Sequence, residues 1–207
     1  MAADATDHPL ERMVFFSDAV FAIAITLLVI EIHVPDLTHQ ASDADHWEAL
    51  AHLIPNFVGF LLSFAVVGLF WVGHHRAFAL ARRFDSRILR WNMMLLAAIA
   101  FMPFTTAYLS ANINERVPSV VYSSTMLLAA ALNLKVNWMA TSAPMVDEAA
   151  GLDAIRYVRR RGLGVLLGAA TAVLTSLLIP QAGQVGLISI PLWQRVLARW
   201  LPGRPVS

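Results

Sequence analysis

Apolar positions in this chain come in long blocks parted by short charged stretches. The first block, ERMVFFSDAVFAIAITLLVIEI at residues 11–32, sets Arg12, Ser17 and Asp18 at the entrance of an otherwise apolar run, with one further hydroxyl, Thr26, near its middle. A bilayer core roughly 30 Å thick needs about 20 residues of helix, and this block has that length. Five more blocks follow. The pattern predicts six membrane-spanning helices over about 10–32, 49–72, 88–110, 118–139, 162–179 and 183–200. Pro103 interrupts the third, and Pro191 interrupts the sixth, where Arg195 and Arg199 follow. An interfacial amphipathic segment therefore competes with a sixth crossing. The expected fold class is an all-α membrane protein: residues 1–9 precede the bundle, 10–200 form it, and 201–207 are a tail.

Composition agrees with the pattern. Of 207 residues 58% are hydrophobic and 14% charged, against about half and a quarter in soluble domains. The net charge of +1 gives no reason to expect nucleic acid as a partner. With no cysteine, disulfides, thiolate metal sites and cysteine nucleophiles are excluded. The leading residues MAADATDHP are acidic and polar, unlike a basic secretory leader, so the first block reads as a retained span.

Charge also orients the bundle. Arg76, Arg82, Arg83, Arg87 and Arg90 fall between the second and third spans, and Arg156, Arg159, Arg160 and Arg161 between the fourth and fifth. The opposite loops carry Asp36, Asp43, Asp45, Glu48 and Glu115. The positive-inside rule then puts both termini in the cytoplasm of an integral membrane protein. Trp71, Trp91, Trp138 and Trp193 are expected near the inner interface, and Trp47, Tyr108 and Tyr122 near the outer. No internal repeat is visible, so a conduction path would need several chains around a shared axis.

The first span carries the candidate chemistry. Helical spacing puts Phe16, Ile23, Leu27 and Ile30 on one stripe, with Ala19 and Thr26 beside it. Such a stripe serves either helix packing or a pore face gated by dewetting. Arg12 and Asp18 are about 120° apart on the helix and poorly placed to pair with each other. Ionisable groups at this depth seek partners on neighbouring helices, and His74, His75, Trp91 and Asn92 lie at the same level. These residues form either a structural polar network, the favoured reading, or a proton or ion site. The outer loop holds His33, His39, His46 and His52 among acidic residues. Their irregular spacing suits an acidic vestibule that concentrates cations better than a preformed metal site. Gly162, Gly164 and Gly168 suit close helix packing, and Lys135 is expected to snorkel inward.

Arg12 followed by Phe16-Ser17-Asp18 matches the RxxxFSD signature of the transmembrane protein 175 family, which the chain resembles. FWVGHHR at 70–76 and WNMMLLAAIAFMPFTTA at 91–107 are similar to its bacterial members. These are potassium channels of endosomes and lysosomes, with single-repeat relatives in prokaryotes. The resemblance implies a homotetramer in a prokaryotic plasma membrane, with the first helix of each six-helix protomer lining a central pore. It implies an apolar constriction at Ile23, further apolar rings at Leu27 and Ile30, and a hydroxyl layer at Thr26 linked to potassium preference. The partners implied are other copies of the chain, the lipid bilayer and permeating monovalent cations, with K+ passing and no cofactor. A proton-coupled transporter using Asp18 and His74 or His75 is the alternative, although duplicated halves and paired broken helices are lacking. An enzyme is disfavoured, since no HExxH, GxSxG or paired intramembrane aspartates occur.

Overall fold

The structure is a computed structural model that describes residues 7–179 and 183–200. The expected cytoplasmic tail at 201–207 and most of the expected N-terminal segment lie outside the described residues. Helices follow one another as α1 (Asp7–Ile30), α2 (Asp43–His52), α3 (Ile54–Phe78), α4 (Ser86–Ala100), α5 (Met102–Ala111), α6 (Arg116–Ala140), α7 (Leu152–Leu178), α8 (Val185–Ile188) and α9 (Ile190–Trp200). Among the described residues, five stretches are long and apolar enough to cross a membrane: α1 from Pro9, α3, α4 with α5, α6 and α7.

Each difference from the expected bounds has a local cause. The first helix begins at Asp7, before residue 10, because a proline is tolerated in a first helical turn, where its missing N–H costs nothing. The second block is two helices. Ser42 and Asp45 form a capping box, with the Asp45 carboxylate accepting from Ser42 N at 2.7 Å, so the acidic stretch before residue 49 winds into its own helix α2. Pro55 then opens α3. The third block breaks at Phe101, two residues ahead of Pro103, whose ring excludes a continuous ladder.

The fifth helix starts at Leu152 rather than 162, taking four arginines into its first turns. Arginine is a good helix former, and low hydropathy hides a helix end that projects beyond the bilayer. Arg159 also finds a partner at the end of α6. Its guanidinium lies 4.2 Å from the Trp138 ring centroid and donates to Thr141 O at 2.6 Å and Ser142 Oγ at 2.8 Å. A cation there satisfies carbonyls at the negative end of a helix.

The sixth block is not one long helix. Residues 185–200 form α8 and α9, parted at Ser189, and neither is long enough alone to span. Both run back along α7, and the register advances in steps of four residues. Gly186 lies on Ala172, Gly168 on Ile190, and Gly164 on Gln194, where an added Cβ would fall 2.6 Å from Gln194 Cγ. Trp193 donates to Thr171 Oγ1 at 3.1 Å, a further tie between α9 and α7. Small residues allow this approach, and overpacking it costs about 1–3 kcal/mol. Gly186→Ala is therefore expected to lower the thermal midpoint in detergent, while Gly68→Ala, with nothing within 4 Å of its new methyl, leaves it unchanged or raises it.

At the centre stands α6, which packs against α3, α4, α5 and α7, while α1 packs on α3, α4 and α5. Phe21, Val67, Ile88, Leu95, Met126 and Val136 fill the space between them. Tyr122 is no interfacial anchor. It is buried, with its hydroxyl 2.9 Å from Ser63 Oγ, and Thr106 donates to Ser63 in turn. At the basic end, Ala81 and Val146 form an antiparallel bridge. Beside it, Arg82 Nε donates to the Asp147 carboxylate at 2.7 Å. Asp147 is held below the usual carboxylate range, first by the Ala149 N–H and then by Arg82. Its contribution to this clasp is present above the ordinary carboxylate pKa and is lost as the pH falls through the lowered value.

Candidate functional site: the two faces of helix α1

One face of α1 is fastened and the other is bare. Leu10, Met13, Ser17, Phe21, Ala24 and Leu28 recur every three or four residues and are buried. The opposite stripe of Arg12, Phe16, Ala19, Ile23, Thr26, Leu27 and Ile30 is exposed, with Ile23 at 58% and Ile30 at 68% of full exposure. None of these apolar side chains packs into the protomer core. Thr26 donates its single proton to the backbone of its own helix, to Ile23 O at 2.9 Å and Ala22 O at 3.0 Å. The hydroxyl oxygen is left as an outward acceptor.

The buried face holds a polar chain across three helices. Ser17 Oγ donates to Met13 O at 2.8 Å and accepts from Asn92 Nδ2 at 2.8 Å. Asn92 Oδ1 lies 2.9 Å from His74 Nε2, so the ring proton sits on Nε2 and is donated to the amide oxygen. All three side chains are fully buried. The His74 ring is wedged between Phe21, at a centroid distance of 5.7 Å, and Phe78, at 4.4 Å, and its Nδ1 has no partner. Asp18, half-buried, is served separately by Trp71 Nε1 at 2.9 Å, and Trp71 stacks on His75 at 5.5 Å.

The residues anticipated at this level thus divide into three groups. Ser17, Asn92 and His74 form one network, and Asp18 and His75 are joined through Trp71. Arg12 and Trp91 belong to neither. Arg12 is exposed without a side-chain partner among the described residues, and Trp91 lies under Lys135 Nζ at 5.7 Å. Asp18 makes no direct hydrogen bond to either histidine; its bonded partner is Trp71. The sequence alone does not single out Trp71 as the partner of Asp18. Its signal was its place one helical turn before His74 and His75, on the same face of α3. Asn133 and Asn137 also escaped notice. Asn133 Nδ2 donates to Phe70 O at 2.8 Å, tying α6 to α3, and their spacing of four in an apolar span was the available sign. In the outer loop, no three of the His, Asp and Glu side chains come together to hold a metal among the described residues.

Residues 12–103 match the family described as endosomal/lysosomal potassium channel TMEM175. Over 164 residues the chain is 39% identical to a protein of Chamaesiphon minutus named as a potassium channel, covering 75% of this chain and 80% of that one. The chain belongs to the TMEM175 family. A Streptomyces collinus protein also named as a potassium channel is 34% identical over 156 residues, covering 72% of this chain and 74% of its own length. The crystal structure of a lysosomal potassium-selective channel TMEM175 homologue from Chamaesiphon minutus superposes with a TM-score of 0.74 at 28% identity. That match spans 95% of this chain and all of the other. The TMEM175 match at 12–103 holds every residue of the two faces of α1 from Arg12 onward, together with Trp71, His74 and Asn92. At 95% of this chain, the structural likeness extends beyond that match into the later helices.

Proposed function

We infer that this TMEM175-family chain is a passive, potassium-favouring cation channel whose pore is lined by α1 around the axis of a homotetramer. The observation that carries this reading is the bare stripe on α1, a row of large apolar side chains that also bears Thr26 and Arg12. The family membership and the relatives named as potassium channels support the choice of ion. Four Ile23 side chains around an axis form a dry neck, and Leu27 and Ile30 extend it outward. Water leaves such a neck readily, so a hydrated cation crosses only when the collar widens or the ion sheds part of its shell. Thr26 hydroxyl oxygens, freed by donating their protons backward, replace some of that shell. Potassium is larger and more weakly hydrated than sodium, so it loses less on entry and is preferred without strict exclusion.

The Ser17–Asn92–His74 chain acts as a structural anchor that fixes the rotation of α1 and so aims the stripe. Helices α8 and α9 together make a sixth crossing, antiparallel to α7, and the four-residue register between them supports this. At that register Arg195 and Arg199 return to the level of the basic start of α7. Both chain ends then face the cytoplasm of a prokaryotic plasma membrane, in keeping with the positive-inside rule.

Reconstituted liposomes test the reading. With only a cation gradient imposed, K+ flux is expected to exceed Na+ flux and to proceed without a proton gradient. Uptake that occurs only when a pH gradient is applied would replace the channel with a coupled transporter.

A further inference from the structure

A second feature lies at the basic end of the bundle, away from α1. Tyr157 on α7 is ringed by three guanidiniums. Those of Arg76 and Arg160 lie 5.4 Å from its ring centroid and that of Arg161 lies 5.7 Å away. Its hydroxyl accepts from Arg76 Nη1 at 3.1 Å and from Arg161 Nη1 at 3.4 Å. Among the described residues neither Arg76 nor Arg161 has a carboxylate partner. Asp147 and Asp153, the acids that pair at this end, go to Arg82 and Arg156 instead.

Arg76, Tyr157 and Arg161 border a narrow cleft between α3, α6, α7 and α9, open at the surface and with an interior cavity of only about 30 Å³. Leu69, Leu134 and Val165 give it an apolar wall running into the bundle. Deeper in, two polar atoms lack partners: Oδ1 of the fully buried Asn137 and Nε2 of Gln194, both of which line the cleft. A buried polar atom left unpaired is costly, so these two atoms favour an occupant that brings polar oxygen atoms to the cleft.

We propose that the cleft binds an anionic glycerophospholipid from the adjacent leaflet, its phosphate held by Arg76 and Arg161. Charge complementarity selects the headgroup: two guanidiniums with unused N–H donors, and no acid lining the cleft, match a phosphate diester. Depth selects a lipid over a free anion. The amides of Asn137 and Gln194 sit below the arginines, where the glycerol and ester oxygens of a seated lipid lie. Occupation would tie α3 to α7 and α9 at the membrane surface. Nothing in this depends on the pore, because the experiment reads binding.

Native mass spectrometry and thermal unfolding of the purified full chain in detergent test the site. The probes are phosphatidylglycerol, phosphatidylcholine and inorganic phosphate. Wild-type protein is expected to retain and be stabilised by phosphatidylglycerol over phosphatidylcholine, with no effect of inorganic phosphate. Arg76→Gln with Arg161→Gln lowers phosphatidylglycerol binding about tenfold, while Arg199→Gln leaves it unchanged. Val165→Trp, which keeps both arginines but fills the cleft, gives the same loss as the double variant. Equal retention of the two lipids by the wild-type chain overturns the proposal without recourse to any variant. Protection by inorganic phosphate equal to that by phosphatidylglycerol overturns the lipid assignment in favour of a free anion.

Discussion

In liposomes carrying Ile23→Asn, cation flux is expected to rise about fivefold or more, and the ratio of K+ to Na+ flux to fall towards one. The estimate rests on hydration of the neck. An asparagine amide offers a passing ion or its water a net hydrogen bond of about 1 kcal/mol, and one such bond lowering the barrier gives about a fivefold rate change. In the proposed tetrameric pore, four amides around the axis would keep the neck wet, so an ion would keep its shell and the difference in dehydration that separates potassium from sodium would disappear. Leu128→Asn is the matched control, since Leu128 on α6 is 53% exposed, close to the 58% of Ile23, yet lies on another helix. Flux unchanged by Ile23→Asn in a normally assembled protein would remove α1 from the conduction path.

The second large effect is expected from Asn92→Leu, which should lower stability by about 2–3 kcal/mol and reduce the yield of assembled protein. Asn92 bridges two helices with both ends of its amide. Its removal leaves the His74 Nε2–H without an acceptor in a fully buried position, and Nδ1 already has no partner. An orphaned buried donor costs about 1–3 kcal/mol, and the link to Ser17 is lost as well. Hydrogen bonds between membrane helices average less than this, because the unfolded chain in lipid finds other partners, so the orphaned ring supplies most of the effect. Size-exclusion profiles and thermal midpoints in detergent measure it. A midpoint equal to wild type would mean that the ring finds an acceptor elsewhere.

Much of the fold could be read in the sequence because lipid leaves so few choices. A run of apolar residues long enough to cross must close its own backbone hydrogen bonds, which makes it a helix. The failures arise where that constraint ends. The first turns of α7 carry four arginines, and one of them, Arg159, has its favourable contacts with the Trp138 face and the end of α6, on another helix, where local hydropathy shows no trace of them. Helix α2 is polar and set by its Ser42 cap, a signal of four residues that a span-length window averages away. In the site, periodicity groups the stripe on α1 but leaves open whether it packs or lines a pore, and only the folded bundle shows that Ser17 faces inward. The pairing of Asp18 with Trp71 does not follow from periodicity. An indole carries one donor on a large apolar ring, and its use as an interfacial anchor or as a carboxylate partner depends on which neighbour the bundle brings near. The cleft beside Tyr157 was equally hidden, since it is built from four helices and its polar atoms share no spacing.

The fastening of α1 has a mechanical consequence. Past Asp18 no side chain of α1 hydrogen-bonds to another helix among the described residues; Thr26 turns back on its own backbone. The helix is held by directional bonds at one end and by apolar packing of Phe21, Ala24 and Leu28 along the remainder. From Ser17 to Ile30 is roughly 20 Å of helix, so a tilt of about 5° sweeps the far tip by close to 2 Å while barely stirring the bonded end. In the proposed pore, widening of the collars would therefore grow with distance from the anchor, and the aperture would splay like a bud opening from its outer rim.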